Sequence, residues 1–449
     1  MRRPLSPCGI LLALWAVLLP ACPAFAEPRE PTPETFRARR KALVQSLGKE
    51  AVLVLGAEKN ETYEPFLQSN DFYYLTGVSE PDAALLLVPR ENREVLFLDP
   101  GDPAMERWDG PRMKPGPEAG RATGFGEIRP RTELADVLDR LLAGKPGAVL
   151  VFPLFPEEIG SRVLDASYPV CERRRADPLD GRSWREDHVR SVLLKRYPGI
   201  GIPDASKAIR SLREAKGPEE IAAMREAGRI SAEGHKEAMA AARPGGFEYQ
   251  IEAAMGGACR RLGGQRWAYE PVAASGPNAL IMHYNRNSRR IAKGDLVLLD
   301  AGYAWGGYAV DMTRTFPASG RFTPEQRKVY EDVLRVQKEV IARVRPGATL
   351  LDLHEWTQRQ LRALGYGPHL VHFLGHGVGM AVHDPLDPSA PLRAGNVLAI
   401  EPGVYLVDRG FGIRIEDTVL VTLSGSEVLT GGAPKDPDEI EALMAASRK

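Results

Sequence analysis

Four acidic residues in this chain stand at the ends of apolar runs, where charge is costly. Asp300 closes the run Val297-Leu-Leu-Asp300, and Asp311 leads into Thr313 and Thr315 in period two, with Gly306 and Gly307 as turn signals between them. A hairpin turning between Trp305 and Gly306 sets Asp300 opposite Asp311, and opposed side chains share one face about 5 Å apart. A second stretch repeats the pattern: Val397 to Tyr405 carries Glu401 toward a turn at Asp408-Arg409-Gly410, and Gly412 to Val419 carries Glu416 back. A turn centred between Asp408 and Arg409 sets Glu401 opposite Glu416. Carboxylates buried in such pairs stay ionised only beside strong positive charge, and divalent cations are the natural source.

Between the two hairpins lies a glycine-rich stretch with three histidines, His372, His376 and His383. A lone histidine in a globular chain is usually structural, but three here, flanked by acidic hairpins, indicate a site. The expected ligands are Asp300, Asp311, His376, Glu401 and Glu416. Four carboxylates and one imidazole suit Mn2+ among divalent ions, with Co2+ and Zn2+ as alternatives. That much negative charge calls for two ions, about 3.5 to 4 Å apart, able to hold a hydroxide at neutral pH. Hydrolysis is the reaction class this implies.

These elements need a scaffold, and the 449 residues allow two or three domains. Residues 1–26 read as a secretory signal peptide: Arg2 and Arg3, an apolar core from Ile10 to Leu19, and Ala24-Phe25-Ala26 before the cut. The chain is therefore expected to be exported, to the periplasm or beyond. Leu19-Pro20-Ala21-Cys22 also resembles a lipoprotein box, which would lipidate Cys22. The apolar run is about half of the roughly 20 residues that span a bilayer, so no membrane span is expected. Zero formal net charge and the lack of long single-sign runs argue against nucleic acid as a partner. After cleavage at Ala26 only Cys171 and Cys259 remain, read as two free thiols.

Residues 27–205 read as an α/β domain. It has a helix over Arg37 to Leu47, strands at 51–55, 84–88, 95–98 and 148–152, and a helix over Thr132 to Leu142. The aromatic stretch from Asn70 to Gly77 reads as core packing at a strand end. Met105 to Gly126 reads as a long surface loop carrying Trp108, and Cys171 to Pro203 as polar and irregular. The domain boundary falls near Pro203 to Ser211, leaving 206–449 as the site-bearing domain. There, helices from Pro218, over Tyr249 to Leu262, Thr323 to Val344 and Leu351 to Leu364 alternate as pairs with strands. This suggests two similar halves.

The order Asp-Ala-Gly, Asp-Met-Thr-Arg-Thr, Gly-His-Gly-Val-Gly, Ile-Glu-Pro-Gly-Val-Tyr and Ile-Arg-Ile-Glu-Asp resembles the pita-bread metallopeptidases. Within them it is most similar to the Xaa-Pro aminopeptidases (aminopeptidase P) and prolidases. Phe36-Arg37-Ala38-Arg39-Arg40 and Asp71 to Gly77 resemble that family's N-terminal domain, and Pro434-Lys435 and Ile440-Glu441 its C-terminal end. The resemblance implies an α/β N-terminal domain plus an α+β pita-bread catalytic domain with pseudo-twofold halves, two metal ions on the five ligands, and a dimer or tetramer. It implies that Glu401 carries the proton from the attacking hydroxide to the leaving proline nitrogen. His283 would contact substrate, and His383 would donate to the scissile carbonyl. Arg414 and Tyr405 would orient the metal carboxylates, while His372 lines the pocket or packs. Phe373 departs from the family pattern, which usually has Gly, Ser, Tyr or Arg there.

The implied substrate is a peptide with proline second, whose tertiary amide general peptidases handle poorly. An Xaa-Pro dipeptidase is the nearest alternative, and a non-catalytic binding module of the same fold the alternative from another class. The large N-terminal domain and the His283-Tyr284 setting argue against a methionine aminopeptidase. In a family oligomer a neighbour's loop can reach the site, and Trp108 is the candidate for that reach.

Overall fold

The computed structural model describes residues 31–59, 64–159 and 162–448. The signal segment and Cys22 lie outside the described residues. The N-terminal region is a five-stranded sheet in the order Glu127–Pro130, Arg93–Leu98, Ala84–Val88, Ala51–Leu55, Leu150–Val151. Its two edge pairings are parallel and its inner ones antiparallel. The central strand Ala84-Leu-Leu-Leu-Val88 is buried throughout because helices cover both faces, which is why it reads as an unbroken apolar run.

Three expectations for this region need correction. Asn70–Thr76 is a helix, closed by Gly77 at φ 68°, and its Tyr74 ring stacks under the Arg39 guanidinium at 4.1 Å. The supposed loop 105–126 contains helices Glu106–Asp109 and Pro117–Thr123; Pro117 starts the second and Gly124 ends it, so residues read as loop signals are its caps. The stretch called irregular contains the C-terminal part of helix Leu164–Ala176, from Cys171 on, and all of Arg185–Arg196, both too highly charged to show an apolar stripe.

The C-terminal region repeats one plan twice. Helices Pro218–Ala241 and Glu248–Arg261 accompany the antiparallel strands Val272–Ser275, Leu296–Asp300 and Thr313–Pro317. Helices Pro324–Ile341 and Leu350–Ala363 accompany Val397–Ile400, Asp417–Val421 and Ser426–Val428. In each trio the strand that is second in sequence lies at the centre. This is the pita-bread arrangement.

The two acidic hairpins differ from expectation in informative ways. In the first, Trp305 bridges Tyr308 around Gly306 and Gly307, both at positive φ, and Asp300 pairs with Thr313. The turn therefore sits one residue later than expected, because a tight turn with two left-handed residues needs both glycines at its centre. Pairing moves by two residues, which preserves the face, so Asp311 is diagonal to Asp300 rather than opposite. In the second hairpin Ile400 pairs with Asp417 and Gly403 with Arg414, which leaves Glu401 facing Glu416 as expected. That strand is nonetheless broken at Glu401-Pro402, where proline removes a ladder donor.

Two glycines make the convergence possible. A Cβ on Gly302 would meet the Val310 carbonyl oxygen at 2.0 Å, and one on Gly375 the Ala399 carbonyl oxygen at 1.9 Å. The first lets the arms bearing Asp300 and Asp311 close. The second seats the His376 loop on the strand leading to Glu401, where Ala399 and Glu401 amides donate to the carbonyls of His376 and Leu374. Cys259 is buried and Cys171 partly so, and both are free thiols. Among the described residues no helix is long and apolar enough to cross a membrane.

Candidate metal centre

The strands and the glycine-rich loop bring all five expected ligands to one place. Asp311, His376 and Glu416 each offer a ligand atom within 4.8 Å of the others. His376 Nε2 lies 3.3 Å from Asp311 Oδ2 and 3.8 Å from Glu401 Oε1. Asp300 is tied in from its other side: its Oδ1 accepts from Tyr269 at 2.6 Å and its Oδ2 from Arg414 Nη2 at 2.5 Å. Glu416 Oε2 accepts from Thr313 Oγ1 at 2.7 Å.

Charge at this centre is out of balance. Burial and then three carboxylate neighbours hold Glu416 well above the ordinary range. Burial pushes Glu401 up to about 8, against the pull of His376 and Arg414 and helped by Asp311 and Asp300. Asp300 is likewise raised by burial despite Arg414. Burial works against ionisation at Asp311 and His376 too, but their mutual hydrogen bond and charge win; Asp311 is lowered and His376 raised to about 9. Asp311 Oδ1 is buried without a hydrogen-bond partner. Unspent carboxylate lone pairs, repelling neighbours and a single imidazole fit a divalent cation, and the donor chemistry favours a hard or borderline ion.

A relay of side chains frames the centre. Arg414 Nη1 donates to the Tyr405 hydroxyl at 2.7 Å and its Nε to Thr313 Oγ1 at 3.1 Å. Tyr405 is 2.8 Å from His372 Nε2, and His372 Nδ1 is 2.7 Å from the Phe373 carbonyl. Since Arg414 supplies the proton to the Tyr405 oxygen, Tyr405 donates onward to Nε2, and Nδ1 carries the hydrogen of a neutral imidazole. Burial and Arg414 agree, holding His372 down at about 4. His372 also lies 3.8 Å from Glu401 Oε2, so it borders the centre rather than merely packing. His283 is exposed and acts electrostatically on His372. His383 stacks its ring on that of His376 with centroids 3.7 Å apart.

Some residues here escaped sequence reading. Tyr269, which ties Asp300 down, lies in a stretch with no chemical pattern. Thr313 was detectable, because its period-two alternation with Asp311 puts both on one face. The buried cluster of Arg213 and Lys216 on Asp384, at 2.6 and 2.9 Å, gave no signal at all.

Comparison with known proteins gives the same picture over most of the length. The family model "Metallopeptidase family M24" matches residues 222–423, and "Aminopeptidase P, N-terminal domain" matches 36–151. The chain is 34% identical to an Xaa-Pro aminopeptidase of Escherichia coli, over 93% of this chain and 98% of that protein. It is 30% identical to Xaa-Pro aminopeptidase 3 of Homo sapiens, over 94% of this chain and 89% of that one. Among solved structures, zinc-substituted E. coli aminopeptidase P in complex with product superposes with TM-score 0.79 at 32% identity, covering 94% of this chain and 100% of the other.

Proposed function

This chain belongs to metallopeptidase family M24 and is a metallo-aminopeptidase, and from that premise we propose that it uses two divalent ions to remove the residue preceding a proline in second position. The observation that carries this reading is the convergence of four acids, two buried and two partly buried, with one histidine, and a partnerless Asp311 oxygen among them. Asp300, Asp311, His376, Glu401 and Glu416 would hold the ions, with Mn2+ suited to so oxygen-rich a set. When bound, such ions supply Lewis acidity and a nucleophile at neutral pH.

The chain's own residues would do the rest. Expelling proline from a tertiary amide requires a proton on the departing nitrogen. Glu401, 3.8 Å from His376 at the centre, would be the carboxylate that accepts a proton and hands it on. Arg414 and Tyr405 hold Asp300 and His372 in fixed orientations, so that little reorganisation remains at the moment of reaction. His283, His372 and His383 would border the substrate, with His383 placed toward the carbonyl on which negative charge develops.

The proposal extends to the setting. Residues 1–26 would direct export, with Cys22 as the lipid attachment point if the chain is anchored. The working form would be a dimer or tetramer, and Trp108, 83% exposed on a short helix, is available to reach a neighbour.

The test is hydrolysis of Ala-Pro-Ala and Ala-Pro by metal-stripped protein after adding Mn2+, with Glu401→Ala as control. Metal-dependent cleavage of the tripeptide, absent in the variant, is the expected result. Cleavage of the dipeptide alone would make the protein a dipeptidase, and turnover of neither with any divalent ion would defeat the catalytic reading.

A further inference from the structure

One contact reaches the centre from the N-terminal region. Asp165 Oδ2 lies 2.5 Å from His383 Nδ1, across a separation of 218 residues. Val163, two residues earlier and 5% exposed, packs with Ala381 and Val382 beside Tyr269, the phenol that ties down Asp300. The turn that opens helix Leu164–Ala176 is thus pinned onto the loop that ends in His383. Among the described residues the other ring nitrogen, Nε2, has no hydrogen-bond partner.

Resting on the function proposed above, we infer that Asp165 is a positioning residue: by taking the Nδ1–H of His383 it fixes the ring and directs Nε2 toward the scissile carbonyl. An imidazole without such a partner turns through a broad χ2 range. Misplacing a reacting group by about 1 Å can cost about 100-fold in rate, so holding the ring matters more to turnover than to folding. The Asp165 side chain is 57% exposed, and an ion pair that open to water contributes little stability. The stacked His376 ring limits His383 on one face only, leaving rotation in the plane to be fixed by Asp165.

Three variants and one spectroscopic readout test this. Asp165→Ala should lower kcat about 10- to 100-fold, with KM, metal content and Tm close to wild type. Asp165→Asn keeps an oxygen that can accept from Nδ1–H but loses the carboxylate charge and can also turn its amide N–H toward Nδ1, so its loss should lie between those of Asp165→Glu and Asp165→Ala. Asp165→Glu keeps the carboxylate and should recover much of the rate. In metal-free protein with 15N-labelled histidine, wild type should show a downfield Nδ1–H proton that is missing in both His383→Gln and Asp165→Ala. Wild-type kcat in all three variants, or no such proton in wild type, would overturn the inference. If wild type cleaves no Xaa-Pro peptide, the functional reading fails, while the proton signal still decides whether Asp165 holds His383.

Discussion

Glu416 and Asp417 are neighbours in the chain, both fully buried, and point to opposite faces of one strand, yet their surroundings are opposites. Glu416 faces Asp311, Glu401 and Asp300, three carboxylates that oppose its charge against the Thr313 hydroxyl, the more distant Arg414 and His376, which lies within 4.8 Å. Asp417 faces Arg314 at 2.8 Å, Lys435 at 2.5 Å, Gln337 at 2.8 Å and Thr430 at 2.9 Å. Burial opposes its charge, but Arg314 and Lys435 outweigh that and hold it well below the usual carboxylate range. The difference teaches how to read buried acids. Where the fold supplies the cations, the acid is structural; where it does not, the site waits for cations from outside.

The sharpest way to break this comparison is to neutralise each acid in turn. Glu416→Gln should lower activity by more than about 100-fold, a larger effect than loss of a group that merely supports a ligand. It should also raise the Tm of metal-stripped protein near neutral pH, because the folded centre no longer has to hold a carboxyl above its ordinary range. Asp417→Asn should do the reverse to stability: the buried Arg314 and the partly buried Lys435 lose their partner, at a cost of about 3–5 kcal/mol in urea unfolding. Equal destabilisation at both positions would show that the two faces are not electrically distinct.

Metal uptake supplies a second test. At pH 7 the metal-free centre holds protons on Glu401, at about 8, and on His376, at about 9. Both must give up protons to become ligands, so binding should release protons and weaken as pH falls. Calorimetry of Mn2+ binding in buffers of different ionisation enthalpy reads that release directly. Zero release would mean that the acids are already ionised and the imbalance at the centre is not real. The cluster around Asp417 should contribute none.

The acids were readable from sequence because each sits in a short motif whose period fixes its face. Their register was readable too, exactly as far as turns allow: Glu401 faces Glu416, while the Gly306-Gly307 turn displaced the first pair by two residues without changing its face. Helices with an apolar stripe, such as Pro324–Ile341, were visible; the charged helix Leu164–Ala176, which brings Asp165 to His383, was not. What stayed hidden depends on contacts between distant segments. Neither Tyr269 nor Asp384 carries a local pattern, since the partners that give them meaning, Asp300 and Arg213, lie 31 and 171 residues away.

Two histidines, His235 buried and His376 partly so, extend the comparison with a smaller effect. His235 Nε2 bonds the Ala301 carbonyl at 2.9 Å, and burial drives the ring down to about 3, whereas Asp311 holds His376 up at about 9. For His235 the unfolded chain binds more protons between about pH 6.5 and 3, so its contribution is present above that window and lost as pH falls through it. For His376 in metal-free protein the contribution is present below about pH 6.5 and lost as pH rises through 9. Urea midpoints across pH should therefore show His235→Gln flattening the acid limb and His376→Gln the alkaline limb. One limb unchanged in its own variant would remove that histidine from the comparison.

The smallest effect belongs to an acid on the same sheet that has both a partner and water. Glu427, in the strand beside Asp417–Val421, receives two hydrogen bonds from Arg225 at 2.8 and 2.7 Å, geometry as good as that at Asp417. Its side chain is 40% exposed, so water already compensates its charge and the pair adds little. Glu427→Gln should cost less than about 1 kcal/mol, and most of that should vanish in high salt. A loss as large as that of Asp417→Asn would mean that hydrogen-bond geometry, not burial, sets the worth of these acids, and the contrast between Glu416 and Asp417 would then need a different cause.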